Sequence, residues 1–139
     1  MIQRIRFTPS DREYIELPLQ YNHIVQAMIY NSLDDKLASF LHEKGFKYGK
    51  KIFKMFAFSR LMGRYSIQKN NQKIVFQSPI SLIVSSPYDE FCNSLANGLI
   101  LKKKVRLWKT DVVASQITLD KETVEDNEII IKTLSPIVV

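Results

Sequence analysis

Residues Ile2 to Phe7 alternate, with Ile2, Arg4 and Arg6 on one side and Gln3, Ile5 and Phe7 on the other, which predicts a strand. Pro9, Ser10 and Asp11 interrupt it. Leu17-Pro18-Leu19 then leads into a helix over residues 22–30, where Ile24, Val25, Met28 and Ile29 recur at helical spacing. Ser32-Leu33-Asp34-Asp35 has the form of a capping box, with Ser32 as the cap and Asp35 three residues on. It predicts a second short helix carrying Leu37, Phe40 and Leu41, with Gly45 as its stop.

Gly45 to Gly49 reads as a basic loop, and residues 52–61 as one strand. In that strand Phe53, Met55, Ala57 and Ser59 take one side, and Ile52, Lys54, Phe56 and Phe58 the other. Gly63 and Lys69-Asn70-Asn71 mark turns around a polar strand at 64–68. Strands follow at 73–77 and 80–85, and Pro79 argues against joining them. Ser86-Pro87-Tyr88-Asp89 predicts a helix start, with Ser86 as cap, Pro87 at the first helical position and Asp89 closing the box. Tyr88, Phe91, Cys92, Leu95, Ala96 and Leu99 form its apolar stripe, and Gly98 weakens its last turn. Residues 112–119 and 128–134 are predicted to close the sheet around an acidic turn from Asp120 to Asn127.

The order strand, helices, strands, helix, strand predicts an α+β fold of the ferredoxin-like (split βαβ, RRM-like) kind. An antiparallel sheet packs against helices, with an extra β-hairpin. Such a fold assigns no function by itself.

Composition narrows the classes. The chain has 139 residues, 45% hydrophobic and 24% charged, enough for one domain with a real core and too apolar for a disordered chain. One cysteine, Cys92, rules out an internal disulfide, and with only His23 and His42 there is no cysteine or histidine cluster for a metal. No apolar run reaches a membrane span, and residues 1–7 are too short and too charged for a signal peptide, so a soluble cytoplasmic protein is expected.

Charge carries more. The net charge is +6, but it is unevenly spread. Residues 42–73 hold nine lysines and arginines against one acid, Glu43, and residues 102–109 add five more with none. That polarity favours a polyanion partner, nucleic acid ahead of an anionic membrane or an acidic protein surface, over a merely solubilising surface.

The run Tyr21-Asn22-His23 through Ile29-Tyr30-Asn31, then Phe40-Leu41-His42-Glu43 and Lys54-Met55-Phe56-Ala57-Phe58-Ser59, is similar to one family. Asn97-Gly98-Leu99, Val105-Arg106-Leu107-Trp108 and Leu134-Ser135-Pro136-Ile137 fit the same resemblance. The chain resembles the CRISPR repeat-processing endoribonucleases, the RAMP-type enzymes that cut precursor CRISPR RNA. The resemblance runs over essentially the whole chain but covers only the first of that family's two ferredoxin-like domains. It implies a single domain, residues 1–139, with the second domain and its glycine-rich RNA-contacting loop absent. On its own such a fragment is expected to cleave weakly or not at all.

The resemblance implies metal-independent cleavage, with no cofactor. The 2′-hydroxyl attacks the adjacent phosphorus and the 5′-oxygen leaves, giving a 2′,3′-cyclic phosphate and a 5′-hydroxyl. Such chemistry needs a proton acceptor, a proton donor and positive charge at the phosphoryl oxygens. The resemblance assigns catalytic roles to His42, Tyr30 and Lys54. By residue type alone His42 reads as a surface histidine at a helix end, and Tyr30 as a packing aromatic. Tyrosine is a poor base at neutral pH, so orienting the 2′-hydroxyl is its safer role, with base and acid left open. Lys50 and Lys51 compete with Lys54 for the catalytic lysine.

Lys47, Lys50, Lys51, Arg60 and Arg64 are candidates to track an RNA backbone, with Lys102, Lys103, Lys104 and Arg106 as a second basic edge. Tyr48 and Trp108 could stack on a base. His23 reads as structural. The partners expected are CRISPR repeat RNA or its precursor, other subunits of a CRISPR complex, and a second copy of the chain, with no membrane. A non-catalytic RNA-binding subunit and a scaffold subunit of a CRISPR ribonucleoprotein are the competing readings, since each needs only the basic face or an open apolar patch.

Overall fold

The computed structural model describes residues 1–121 and 123–133. Its elements in chain order begin with β1 (Ile2–Pro9), β2 (Tyr14–Pro18), α1 (Asn22–Ser32), α2 (Asp35–Glu43), β3 (Phe46–Tyr48), β4 (Lys51–Phe53) and β5 (Ala57–Phe58). They continue with β6 (Tyr65–Gln68), β7 (Lys73–Gln77), β8 (Ile80–Ser85), α3 (Asp89–Leu101), β9 (Val105–Leu107) and β10 (Thr110–Asp120).

The main sheet runs β5-β8-β1-β10-β9, and every pairing in it is antiparallel. The parallel-running strands β1 and β5 are thus split by β8, and β8 and β10 are split by β1. This is the ferredoxin-like arrangement. Helices α1 and α2 make the first crossover and α3 the second. The face carrying Gln3, Ile5 and Phe7 of β1 and Ile80, Leu82 and Val84 of β8 is buried. Against it lie Val25, Met28 and Ile29 of α1 and Phe91, Cys92, Leu95 and Leu99 of α3, in one continuous core. A bulge between Arg6 and Phe7 of the β1 ladder skips Ser115, so Ala114 rather than Ser115 faces Phe7. The Ser115 hydroxyl instead donates to the Arg6 carbonyl at 3.2 Å.

A second sheet, β2-β7-β6, adds Ile15, Leu17, Ile74 and Phe76 to the same core. Strand β2 is absent from the sequence expectation, although Ile15 and Leu17 alternate. Pro18 ends it on a sheet edge, where a missing N–H is tolerated. The extra hairpin is β3-β4, where a basic loop was expected at 45–49.

Several boundaries move. The stretch 52–61 is not one strand, because Met55 takes a positive φ of 57° and divides β4 from β5. Helix α2 is capped by Asp34, not Ser32: the Asp34 carboxylate accepts from the N–H groups of Lys36 and Leu37. The Ser32 hydroxyl donates back to the Met28 carbonyl within α1. Helix α3 starts at Asp89 with Tyr88 as its cap residue, so Pro87 lies outside it. The Ser86 hydroxyl ties the preceding turn to the β4–β5 link, accepting from the Tyr88 N–H and donating to the Met55 carbonyl. One long strand, β10, closes the sheet. Residues 128–133 are not strand, and residue 134 of that expected element lies outside the described residues, as does the Leu134-Ser135-Pro136-Ile137 segment.

Candidate functional site

The end of α1 and the end of α2 meet around one cleft of about 520 Å³, whose lining includes Tyr30, Asp35, Ser39, His42, Glu43 and Lys102. Tyr30 stands in the last turn of α1 and His42 in the last turn of α2. Their rings meet edge to face, 6.4 Å between centroids. Phe56 packs on the other side of Tyr30 at 5.8 Å and stacks on Phe91 at 4.7 Å, which fixes the tyrosine against the core. Burial pushes the Tyr30 phenol above its usual value of 10, partly offset by a hydrogen bond with the Gln26 side chain one turn back. The phenol therefore stays protonated at neutral pH. His42 is exposed to the cleft.

Lys54 reaches the C-terminal end of α2, the helix that carries His42. Its ammonium donates to the carbonyls of Leu41 and, at 3.2 Å, of His42. These are C-terminal carbonyls with no partner inside the helix, and a cation is favoured there. Gly45 makes the approach possible. It ends α2 at φ +65°, and a Cβ there would lie 2.7 Å from Ile52 and 2.9 Å from the Phe53 carbonyl oxygen. Strand β4 can therefore cross close to the helix end and deliver Lys54. The sequence reading put Lys54 on one face with Phe56 and Phe58 by strand alternation. The break at Met55 removes that alternation, and the lysine is placed by the hairpin instead.

Lys50 and Lys51 are exposed at the turn of the β3-β4 hairpin, beside Lys47 and the largely exposed Tyr48. Neither hydrogen-bonds the end of α2, as Lys54 does.

Residues 16–118 match the family model described as CRISPR-associated protein Cas6, N-terminal. The chain belongs to the Cas6 family. It is 29% identical over 140 residues to the CRISPR-associated endoribonuclease Cas6 of Pyrococcus furiosus, an alignment covering 97% of this chain and 51% of the relative. Among solved structures, a Cas6-related protein from Pyrococcus furiosus superposes with a TM-score of 0.70 at 17% identity, over 90% of this chain and 50% of that one. A RAMP protein described as binding different RNA substrates gives 0.68 at 18% identity, over 91% and 50%. A CRISPR-associated protein Cas6 gives 0.62 at 21% identity, over 88% and 49%. These likenesses show the shared fold. The chain spans about half the length of the relatives it matches.

Tyr30, His42, Lys54 and Lys102 all fall within the span matched to Cas6. The other basic candidates are dispersed. Arg60 lines a separate cleft of about 620 Å³ with His23, Asn22, Tyr65 and Phe76, where the Tyr21 hydroxyl also accepts from the Leu61 N–H at 3.2 Å. Arg64 precedes β6 and is exposed, as are Lys103 and Lys104 after α3. Arg106 is engaged with Asp111 across the β9–β10 pair at 2.8 Å. Trp108 is half-buried with the ammonium groups of Lys109 and Lys73 over its ring, at 4.5 and 5.5 Å. Among the described residues no three His, Cys, Asp or Glu side chains come together as a metal site, and no helix is long and apolar enough to cross a membrane.

Sequence reasoning missed that Lys102 belongs beside Tyr30 and His42. It had been grouped with its neighbours as a basic edge, and nothing in a run of three lysines singles out one of them.

Proposed function

We propose that this chain is a single domain forming the N-terminal half of a metal-independent endoribonuclease that processes CRISPR precursor RNA, with Tyr30, His42 and Lys54 as its catalytic constellation. The observation that carries the reading most is the meeting of the α1 and α2 C-termini. There a histidine and a half-buried tyrosine share one cleft, and a lysine anchors the backbone of the histidine. Family membership supports the substrate class.

In this reading the attacking 2′-oxygen forms a bond to phosphorus and the bond to the 5′-oxygen breaks. One proton leaves the 2′-hydroxyl and one is delivered to the 5′-oxygen, with no water consumed. His42 is the proton-transfer group, since imidazole changes charge near neutrality. Tyr30 stays a phenol and orients the 2′-hydroxyl through its O–H. Lys54 holds the end of α2 and places positive charge beside His42. The exposed lysines of the β3-β4 hairpin and the loop after α3 attract the RNA backbone without reading sequence.

The test is incubation of the full-length protein with labelled repeat RNA in EDTA, with end-group analysis of the products. The expected result is a 2′,3′-cyclic phosphate and a 5′-hydroxyl, and no cut when the attacking 2′-hydroxyl is replaced by hydrogen. A 3′-hydroxyl product, or cleavage that returns only with a divalent ion, overturns the chemistry. Salt-sensitive binding with no cleavage at all returns the chain to the RNA-binding-subunit reading.

A further inference from the structure

The two lysines near the cleft are placed differently. Lys54 is half-buried and spends its donors on two carbonyls at the end of α2. Lys102 is exposed, lines the Tyr30–His42 cleft directly, and donates to one carbonyl, that of Asn31 at the end of α1. An ammonium has three N–H donors, so Lys102 keeps two for a ligand where Lys54 keeps one. The cleft also holds the carboxylates of Asp35 and Glu43, and among the described residues Lys102 makes no ion pair with either.

What brings Lys102 there is a contact made one helical turn earlier. A Cβ on Gly98 would lie 1.6 Å from the Ser32 carbonyl oxygen and 2.7 Å from its carbon. Helix α3 therefore crosses the end of α1 backbone against backbone, and only glycine allows it. Residues four apart share a helix face, so Lys102 follows Gly98 onto the face that meets α1. Asn31, the carbonyl it grips, is the residue between Tyr30 and Ser32. The Lys102 anchor and the Gly98 crossing thus fall on the two residues that follow the tyrosine of the site.

We propose that Lys102 is a further cation, additional to the Lys54 of the catalytic constellation, that contacts the non-bridging oxygens of the reacting phosphate. This rests on the endoribonuclease reading above and deepens it by assigning the phosphate contact. Charge builds on those oxygens as the 2′-oxygen attacks, so a cation already held at the cleft stabilises the transition state more than the ground state. The other lysines of the same run, Lys103 and Lys104, are exposed and line neither this cleft nor its walls, and they serve only general attraction.

The experiment uses the full-length protein and cognate repeat RNA under single-turnover conditions, with binding measured on RNA carrying a 2′-deoxy sugar at the cut. Variants are Lys102→Ala, Lys102→Arg and Lys103→Ala, with His42→Ala as the reference. A second substrate pair carries Rp or Sp phosphorothioate at the cut. Lys102→Ala is expected to slow cleavage about tenfold to a hundredfold with binding changed less than about threefold. Lys102→Arg restores part of the rate, whereas Lys103→Ala weakens RNA binding, with any rate loss no larger than the binding loss. The wild type discriminates between the two thio substrates and Lys102→Ala loses that discrimination, a change that a purely structural role does not produce. Wild-type rate in Lys102→Ala while His42→Ala is inactive overturns the proposal and leaves the endoribonuclease reading standing. So does a rate loss matched by an equal binding loss, or by unaltered thio discrimination. Wild-type cleavage by His42→Ala instead overturns the reading on which the proposal rests.

Discussion

At Gly98 an added side chain has nowhere to go, because the obstacle is the Ser32 backbone rather than a movable side chain. Gly49, at φ +61°, has no atom within 4 Å of the position a Cβ would take, so only its backbone conformation resists substitution. The two glycines should separate by mechanism. Gly49→Ala is expected to cost about 1–2 kcal/mol, the strain of a left-handed non-glycine residue. Gly98→Ala is expected to cost about 3 kcal/mol or more, because two helices must move apart. Urea unfolding of the two variants checks this; equal losses would mean that α3 does not press on α1 as described. Tyr30 gives a prediction of another kind. Its folded pKa lies above the unfolded value, so any stability tied to the protonated phenol is fully present below about pH 10 and fades only as pH rises through the folded pKa. Between pH 6 and 9 the phenol is neutral. Tyr30→Phe should therefore slow cleavage by a factor that stays constant across that window, as for a lost hydrogen-bond donor. A deficit growing tenfold per pH unit would identify a phenolate base and contradict the assigned role.

Elements whose periodicity is enforced by burial were legible in the sequence, and those decided by a local competition were not. Ile5 and Phe7 had to face the core, as did the stripes of α1 and α3, because each is packed between sheet and helices. Capping was a contest between neighbours. Ser32 and Asp34 both precede an acid-started helix, but α1 runs on to Ser32, whose hydroxyl is absorbed by the Met28 carbonyl, and Asp34 is left free to cap. Asp34→Ala should therefore destabilise the domain by about 1 kcal/mol, and Ser32→Ala by less. Thermal or urea denaturation of the pair decides it, and the reverse order would restore the capping box read from the sequence. The β4–β5 segment failed for a different reason. Its alternation is real in the sequence, but Met55 turns through a left-handed conformation, and the partner that forces the turn, the Ser86 hydroxyl on the Met55 carbonyl, lies 31 residues away. The site divides in the same way. Tyr30 and His42 were marked by resemblance, and both lie on helix ends whose boundaries the pattern nearly gives. Lys102 was not, because its partner carbonyl at Asn31 is 71 residues distant and is reached only through the α1–α3 crossing.

On the scale of the whole molecule the two basic stretches, far apart in sequence, each send one lysine to the end of a helix that carries Tyr30 or His42. The first supplies the β3-β4 hairpin and Lys54 at the end of α2, and the second supplies Lys102 at the end of α3. The ferredoxin-like crossovers produce this, since both place helix C-termini at the same end of the sheet. On the proposed reading, attraction for RNA is spread over many exposed cations, whereas proton transfer is concentrated in one imidazole. Removing the imidazole should separate the two. His42→Ala in the full-length protein, assayed by single-turnover cleavage of repeat RNA and by binding to the 2′-deoxy substrate at the same salt, is expected to lose about 10²–10⁴-fold in rate with binding unchanged within about threefold. Cleavage at the wild-type rate, or a fall in binding as large as the fall in rate, would contradict the account.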